Sequence, residues 1–232
     1  MKKWLNDLFI SGNLLLEEEE YLLSRGAKRE RIKSLGIISW DSLAVGKSPD
    51  PIFNERYFSR KFPNRLKGCI CTPYRSLTDQ IIGFEARAVD HKWITDFRVS
   101  PESHWCSFWL GLNKESMEKL WAGGEVWIVE GLFDMFALDW VIPESDLILA
   151  IVQARLTTPH LEFLRRFAKK ANLSLDMDPP GRKGAYKAAR NLRELGVSNR
   201  VVEYGPGKDP GEIWDRGGVR ELKEVFFGDT QR

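Results

Sequence analysis

Short apolar runs alternate with helical patterns through the second half of the chain, and this alternation constrains the fold more than any other feature. The runs are Val126 to Val129, Leu147 to Val152, Leu173 to Leu175 and Val201 to Tyr204. Between them, Leu132 to Trp140, Pro159 to Lys170 and Lys183 to Leu195 carry apolar residues at helical spacing, and Gly196 stands where a left-handed helix stop is expected. Strand and helix repeated in this order predict an α/β unit, a parallel sheet with helices on both faces. The loops that follow the strands then collect at one edge, where open α/β sheets place their sites.

That edge collects acids. Glu130, followed by Gly131, closes the first run, where a strand-end carboxylate is expected to stay solvated. Asp176 and Asp178 close the third, and Asp209 lies just past the fourth. Side chains two apart on an extended chain point the same way, so an Asp-x-Asp pair can reach one hard cation. The sequence Asp178-Pro-Pro-Gly181 also suits a turn or helix cap. Several uncompensated carboxylates at one edge would repel strongly, which predicts a divalent-metal site. Beyond the aspartate pair, Lys183, Lys187 and Arg190 share one helix face while Ala185, Ala188, Ala189, Leu192 and Leu195 are expected to face the sheet. A helix start beside a metal, carrying Arg182 and Lys183, suits phosphate oxygens.

The first half reads differently. Residues 15–35 look helical with a break at Gly26, and from about Lys67 to Arg98 short alternating runs separated by turn residues predict an antiparallel sheet. A smaller α+β subdomain over 1–118 is therefore expected before the parallel unit at 119–232, with the boundary near Asn113 to Ala122. No run is long and apolar enough for a membrane span or a secretion signal, so a cytoplasmic location is expected, with no membrane partner. The cysteines Cys69, Cys71 and Cys106 are too few for a disulfide framework or a four-ligand zinc site and read as small buried hydrophobes. A net charge of +2 does not argue nucleic-acid binding by itself, and the basic stretch Arg56, Arg60, Lys61, Arg65, Lys67 and Arg75 reads first as a solvated face.

Taken together, Glu130-Gly131 and Asp176-x-Asp178 resemble the TOPRIM signature shared by bacterial-type primases, topoisomerases and certain nucleases. Other segments are similar to DnaG-type primases in particular. Val129 to Leu138 has the primase form, with an aspartate three residues after the glycine; Ala154 to Thr157 resembles the segment after the second strand; Gly207-Lys-Asp-Pro210 matches Gly-x-Asp-Pro. Upstream, Glu19 to Gly26, Lys67 to Arg75, Ile81 to Arg87, Phe97 to Glu102 and Leu110 to Leu112 resemble the primase subdomain that precedes TOPRIM. The likeness runs in order over roughly residues 17–225.

The resemblance implies a DNA primase core that joins ribonucleoside triphosphates on a single-stranded DNA template, using Mg2+ or Mn2+. Asp176, Asp178 and Asp209 would be metal ligands, and Glu130 a ligand or the acceptor of the hydroxyl proton. Arg182, Lys183 and Lys187 would meet triphosphate oxygens. Arg75, Arg87 and Arg98 are candidates for the template, with Trp93, Trp105 or Trp109 for base stacking. The departures are Gly211 in place of a second aspartate, with Glu212 beside it, and Asp96 and Val99 at positions usually basic or amide. No cysteine-rich zinc module is seen, and little is expected after the TOPRIM unit, so a replicative helicase or separate zinc-binding protein would act in trans. The compact layout suits a phage or mobile-element replisome in a host cytoplasm. A TOPRIM nuclease using the same acids, and a catalytically weakened replisome adapter, are the alternative expectations.

Overall fold

The computed structural model describes residues 2–43, 48–49, 51–58, 64–98, 109–152, 155–205 and 207–227. Arg60, Lys61, Val99, Trp105, Cys106 and Ala154, singled out above, lie outside the described residues.

The N-terminal half opens with α1 (Lys2–Ser11), α2 (Leu16–Ser24) and α3 (Arg29–Leu35), and α4 (Pro51–Tyr57) follows the two-residue strand β1 (Ile38–Ser39). The strands β2 (Cys69–Arg75), β3 (Ile81–Ala88) and β4 (Ile94–Arg98) join β1 in an antiparallel sheet of order β1-β2-β3-β4. Alternation divides the sheet. Cys69, Cys71, Phe84, Ala86, Ala88 and Phe97 meet Leu5, Phe9, Trp40 and Phe53 in one core, while Ile70 and Tyr74 join a second core shared with the other half of the chain. Both cysteines in view are buried free thiols, and burial pushes Cys69 up to about 12.

The second half begins with α5 (Lys114–Trp121), capped reciprocally by Asn113 and Ser116. It continues through β5 (Val126–Val129), α6 (Leu132–Leu138), β6 (Leu147–Ala150), α7 (Thr158–Phe167), β7 (Lys170–Leu173), α8 (Pro179–Glu194), β8 (Ser198–Val201) and α9 (Pro210–Phe227), the last broken at Gly218. The sheet has order β6-β5-β7-β8 and every pair is parallel, as the alternation predicts. Trp127, Val129, Ile148 and Ala150 face α6 and α9, whereas Val126, Ile128, Leu147, Leu149 and Leu173 face α5, α7 and α8. The division expected between 118 and 119 falls inside α5, whose Met117 and Leu120 pack in the second of these layers.

Two strands lie earlier than expected. β7 covers Lys170–Leu173 rather than 173–175, and β8 covers Ser198–Val201 rather than 201–204. Their N-terminal halves are polar, so hydrophobicity points past them. Lys170 and Asn172 both bond Glu125, at 2.7 and 2.9 Å, and Arg200 donates to Asn172 at 2.6 Å. The helices shift to match: α7 ends at Phe167, and α8 starts at Pro179 and closes at Glu194, leaving Leu195 37% exposed and off the sheet.

The N-terminal helices are pinned to the parallel unit through Gly26, whose φ of +90° lies in the left-handed region. Its carbonyl accepts Trp140 Nε1 at 2.8 Å, Trp140 stacks on Trp214 with centroids 5.7 Å apart, and a Cβ at Gly26 would sit 2.7 Å from the Trp214 ring. Gly26→Ala is therefore expected to cost about 2 kcal/mol or more, from left-handed strain and overpacking. A urea unfolding curve checks this, with an unchanged midpoint counting against the pin.

Candidate active site

Each acid lies in a connection that follows a strand. Glu130 follows β5, and its Oε1 accepts the Asp176 N–H at 3.3 Å, tying the ends of β5 and β7 together. Asp178 and Asp209 are Asp-Pro helix caps. One oxygen of Asp178 accepts the Gly181 N–H at 2.9 Å at the start of α8, and one oxygen of Asp209 accepts the Glu212 N–H at 2.7 Å at the start of α9. In both, the other oxygen faces Lys208. The Lys208 ammonium stands 2.7 Å from Asp176 Oδ2, 3.6 Å from Asp178 Oδ2 and 3.9 Å from Asp209 Oδ2.

The carboxylates are thus not uncompensated, as the sequence suggested. Hydrogen bonding to Asp176, partly offset by desolvation, raises the pKa of Lys208. Glu130 is half-buried rather than solvated, and desolvation together with the Asp176 charge pushes it up to about 7.

A fifth carboxylate, Asp134, escaped the sequence reading as a site residue. It is 9% exposed and accepts the Gly131 N–H on one oxygen and the Gly211 N–H on the other, both at 3.0 Å, linking the start of α6 to the start of α9. Burial and the neighbouring Asp209 charge raise it to about 8. An acid three residues into a helix is a capping signature, which was the available signal. Gly211 sits beneath it: a Cβ there would lie 3.1 Å from Asp134 Oδ1 and 3.4 Å from Asp209 Oδ1. Glu212, beside Gly211, accepts the Lys208 N–H at 2.8 Å.

A cavity of about 590 Å³ is lined by Glu130, Asp134, Asp176 and Asp209 together with Glu85, Arg87 and Arg25, and its lining does not include Asp178 or Lys208. Val152, also at its wall, has a φ of +54°, a strained value for a β-branched residue, and donates its N–H to Glu130 O at 2.8 Å. Two guanidiniums, Arg25 and Arg87, each lie 4.5 Å from the Phe133 ring centre. A second cavity of about 580 Å³ shares Arg25, Arg87 and Phe133 and extends to Tyr21 and Trp93.

The basic residues expected to meet phosphates are distributed unevenly. Arg182, Lys183 and Lys187 are exposed on α8, and the cavity lining does not include them. Of the three arginines expected at the template, Arg87 lines the cavity, and all three are paired with carboxylates. Arg75 meets Asp79 at 3.6 Å, Arg87 meets Glu85 at 3.5 Å, and Arg98 meets Asp96 at 2.5 Å. Cross-strand pairing of Glu85 with Asp96 puts the last two ion pairs side by side on one face of the sheet. Trp109 is fully buried against His160 and Phe163, which removes it from base stacking, whereas Trp93 is half-buried beneath Arg65.

Hard oxygen donors of this kind suit a divalent cation such as magnesium. Among the described residues, no three His, Cys, Asp or Glu side chains are drawn close enough to hold a metal as they stand. The positive charge that the acids share is the Lys208 ammonium, which marks where a cation fits.

Comparison with known proteins bears on this arrangement directly. Residues 127–214 match a Toprim-like family. Over 225 residues the chain is 27% identical to the DNA primase of Thermotoga maritima, covering 90% of this chain and 39% of that protein. It is also 27% identical over 167 residues to the DNA primase of Clostridium acetobutylicum, covering 71% of this chain and 26% of the relative. Among solved structures, a DnaG primase catalytic domain bound to single-stranded DNA superposes with a TM-score of 0.75 at 19% identity, covering 99% of this chain and 82% of the other. The chain has the fold of a DnaG-type primase catalytic core. The zinc-binding and RNA polymerase domains of the Aquifex aeolicus primase agree, with a TM-score of 0.67 at 20% identity over 92% of this chain and 56% of that one. The chain therefore spans about two fifths or less of the length of the two bacterial primases it matches in sequence. No helix among its described residues is long and apolar enough to cross a membrane.

Proposed function

We propose that this chain is a primase catalytic core that synthesises short RNA primers on single-stranded DNA by metal-dependent nucleotidyl transfer. The observation that carries the proposal is the cavity itself, where the acids at the ends of β5, β7 and β8 face the antiparallel sheet typical of the upstream primase subdomain.

In this reading the 3′-hydroxyl of the growing strand attacks the α-phosphate of a ribonucleoside triphosphate, and pyrophosphate leaves. Asp176, Asp178 and Asp209 would hold Mg2+ or Mn2+, with Glu130 beside them. The metal, when bound, would offset charge on the entering and leaving oxygens. Glu130, poised near neutral pH, is suited to accept the hydroxyl proton. Arg25 and Arg87, also in the lining, would meet phosphates that compete for them with Asp215 and Glu85, their present partners. Arg75 and Arg98 would reach the template backbone once strand phosphates compete for them with Asp79 and Asp96, and Arg182, Lys183 and Lys187 would guide nucleotide from outside the cavity. A replicative helicase or a separate zinc-binding protein would supply template recognition.

Incubating the protein with single-stranded DNA, ribonucleotides and Mg2+ or Mn2+ tests the proposal. Short RNA complementary to the template is expected, abolished by EDTA. Template cleavage without synthesis, also when a primase-associated helicase and zinc-binding protein are added, would overturn it in favour of the nuclease. That alternative is not favoured, because the Thermotoga maritima likeness covers 90% of this chain and so reaches beyond the Toprim-like segment.

A further inference from the structure

The Lys208 side chain has a fixed base and a free path. Its carbonyl accepts the Met177 N–H at 2.7 Å and its own N–H donates to Glu212 at 2.8 Å, so the backbone is held to the ends of β7 and α9. The side chain is 47% exposed, so it can turn into water without opening the core. Its ammonium contacts oxygens of Asp176, Asp178 and Asp209, three of the carboxylates assigned to the metal. The oxygen of Asp178 that remains after helix capping is the one turned to Lys208, and the same is true of Asp209. An ammonium and a divalent cation cannot share oxygens at these distances without strong repulsion.

We infer that Lys208 is the resident counter-cation of this site and must swing out before Asp176 and Asp209 can hold a divalent cation, so that metal loading and release of this side chain are one exchange. The inference rests on the metal-site reading above. It means that a cation built into the chain offsets part of the repulsion among acids crowded at one sheet edge. It also makes metal affinity a property that Lys208 tunes downward, since part of the binding free energy is spent on breaking its contacts.

Mn2+ titration followed by electron paramagnetic resonance, without nucleotide, tests the exchange. Lys208→Met, neutral and of similar length, is expected to bind Mn2+ at least ~10-fold more tightly than wild type, while Lys208→Arg stays within about 3-fold. In EDTA the Met variant melts below wild type, and Mn2+ restores it. Should it fail to fold, acetylation of wild-type Lys208 read by mass spectrometry serves instead, with the exposed Lys187 as reference. Labelling of Lys208 is expected to rise when Mn2+ is added. Equal or weaker Mn2+ binding in folded Lys208→Met, or labelling that does not rise, overturns the exchange while leaving the metal site in place. If neither wild type nor variant binds Mn2+, the metal reading fails and the exchange fails with it.

Discussion

Glu130→Gln is expected to reduce primer synthesis by at least ~100-fold while leaving the metal-free protein as stable as wild type or more so. The two halves of this expectation have separate causes. Glutamine keeps an oxygen where Oε1 accepts the Asp176 N–H at 3.3 Å, so the tie between the ends of β5 and β7 survives. It removes a carboxyl group that is half-buried beside Asp176 and whose ionisation both desolvation and that neighbour oppose, so the folded state loses nothing electrostatic. What disappears is the ability to take a proton near neutral pH and to add a negative oxygen to the metal-binding edge. Asp176→Asn is expected to give a comparable loss of synthesis by a different path, because it takes away both a proposed ligand and the closest partner of Lys208, at 2.7 Å. Primer yield and thermal melting measured on the same preparations check both variants. Glu130→Gln activity within a few-fold of wild type would remove Glu130 from the chemistry.

The acids were legible in the sequence because their positions follow from chain periodicity: a parallel sheet puts every strand end at one edge, whatever the details of register. The register itself was less legible. β7 and β8 begin with Lys170-Ala-Asn172 and Ser198-Asn-Arg200, whose polar groups are satisfied by Glu125 and by one another across the sheet, so apolar content marks only their far ends. α1, α4 and α9 were also missed. α1 and α4 are short, and their apolar faces make sense only against β3 and Trp40, while Gly217-Gly218 interrupts the pattern of α9. The roles of Lys208 and Asp134 depend in part on partners far away in sequence, Asp176 for one and Gly211 for the other, and spacing along the chain cannot show that. By contrast, the pairing of Arg87 and Arg98 was available. Glu85-x-Arg87 and Asp96-x-Arg98 place opposite charges on one face of a strand, the same spacing rule that made Asp176 and Asp178 a pair. These pairs soften the basic character of this face of the sheet.

In the absence of divalent metal, the melting temperature is expected to fall by roughly 5–10 °C between about pH 5 and pH 8 through these carboxyl groups. The sign follows from the direction of the shifts. Asp134 is raised from 3.8 to about 8 and Glu130 from 4.5 to about 7, so the folded chain holds protons that the unfolded chain has released. Their contribution is fully present below about pH 4 and is lost as pH rises through the folded values, after which it levels off. Asp134 dominates because it is almost fully enclosed, whereas Glu130 reaches water and its share is screened. Lys208 limits the loss by facing Asp176 and Asp209 but does not contact Asp134 within ion-pair distance. Asp134→Asn should therefore flatten the curve in EDTA, keeping an acceptor for one of the two glycine N–H groups while removing the titration, at the expense of a hydrogen bond to the other worth about 1–3 kcal/mol at every pH. Millimolar Mg2+ should act in the opposite direction in wild type, since a cation binds the ionised carboxylates and its stabilisation grows as they lose their protons. Melting curves from pH 5 to 8.5, in EDTA and in Mg2+, separate the two effects. A wild-type melting temperature that is flat or rising through this window in EDTA would mean that the buried acids are compensated by more than Lys208.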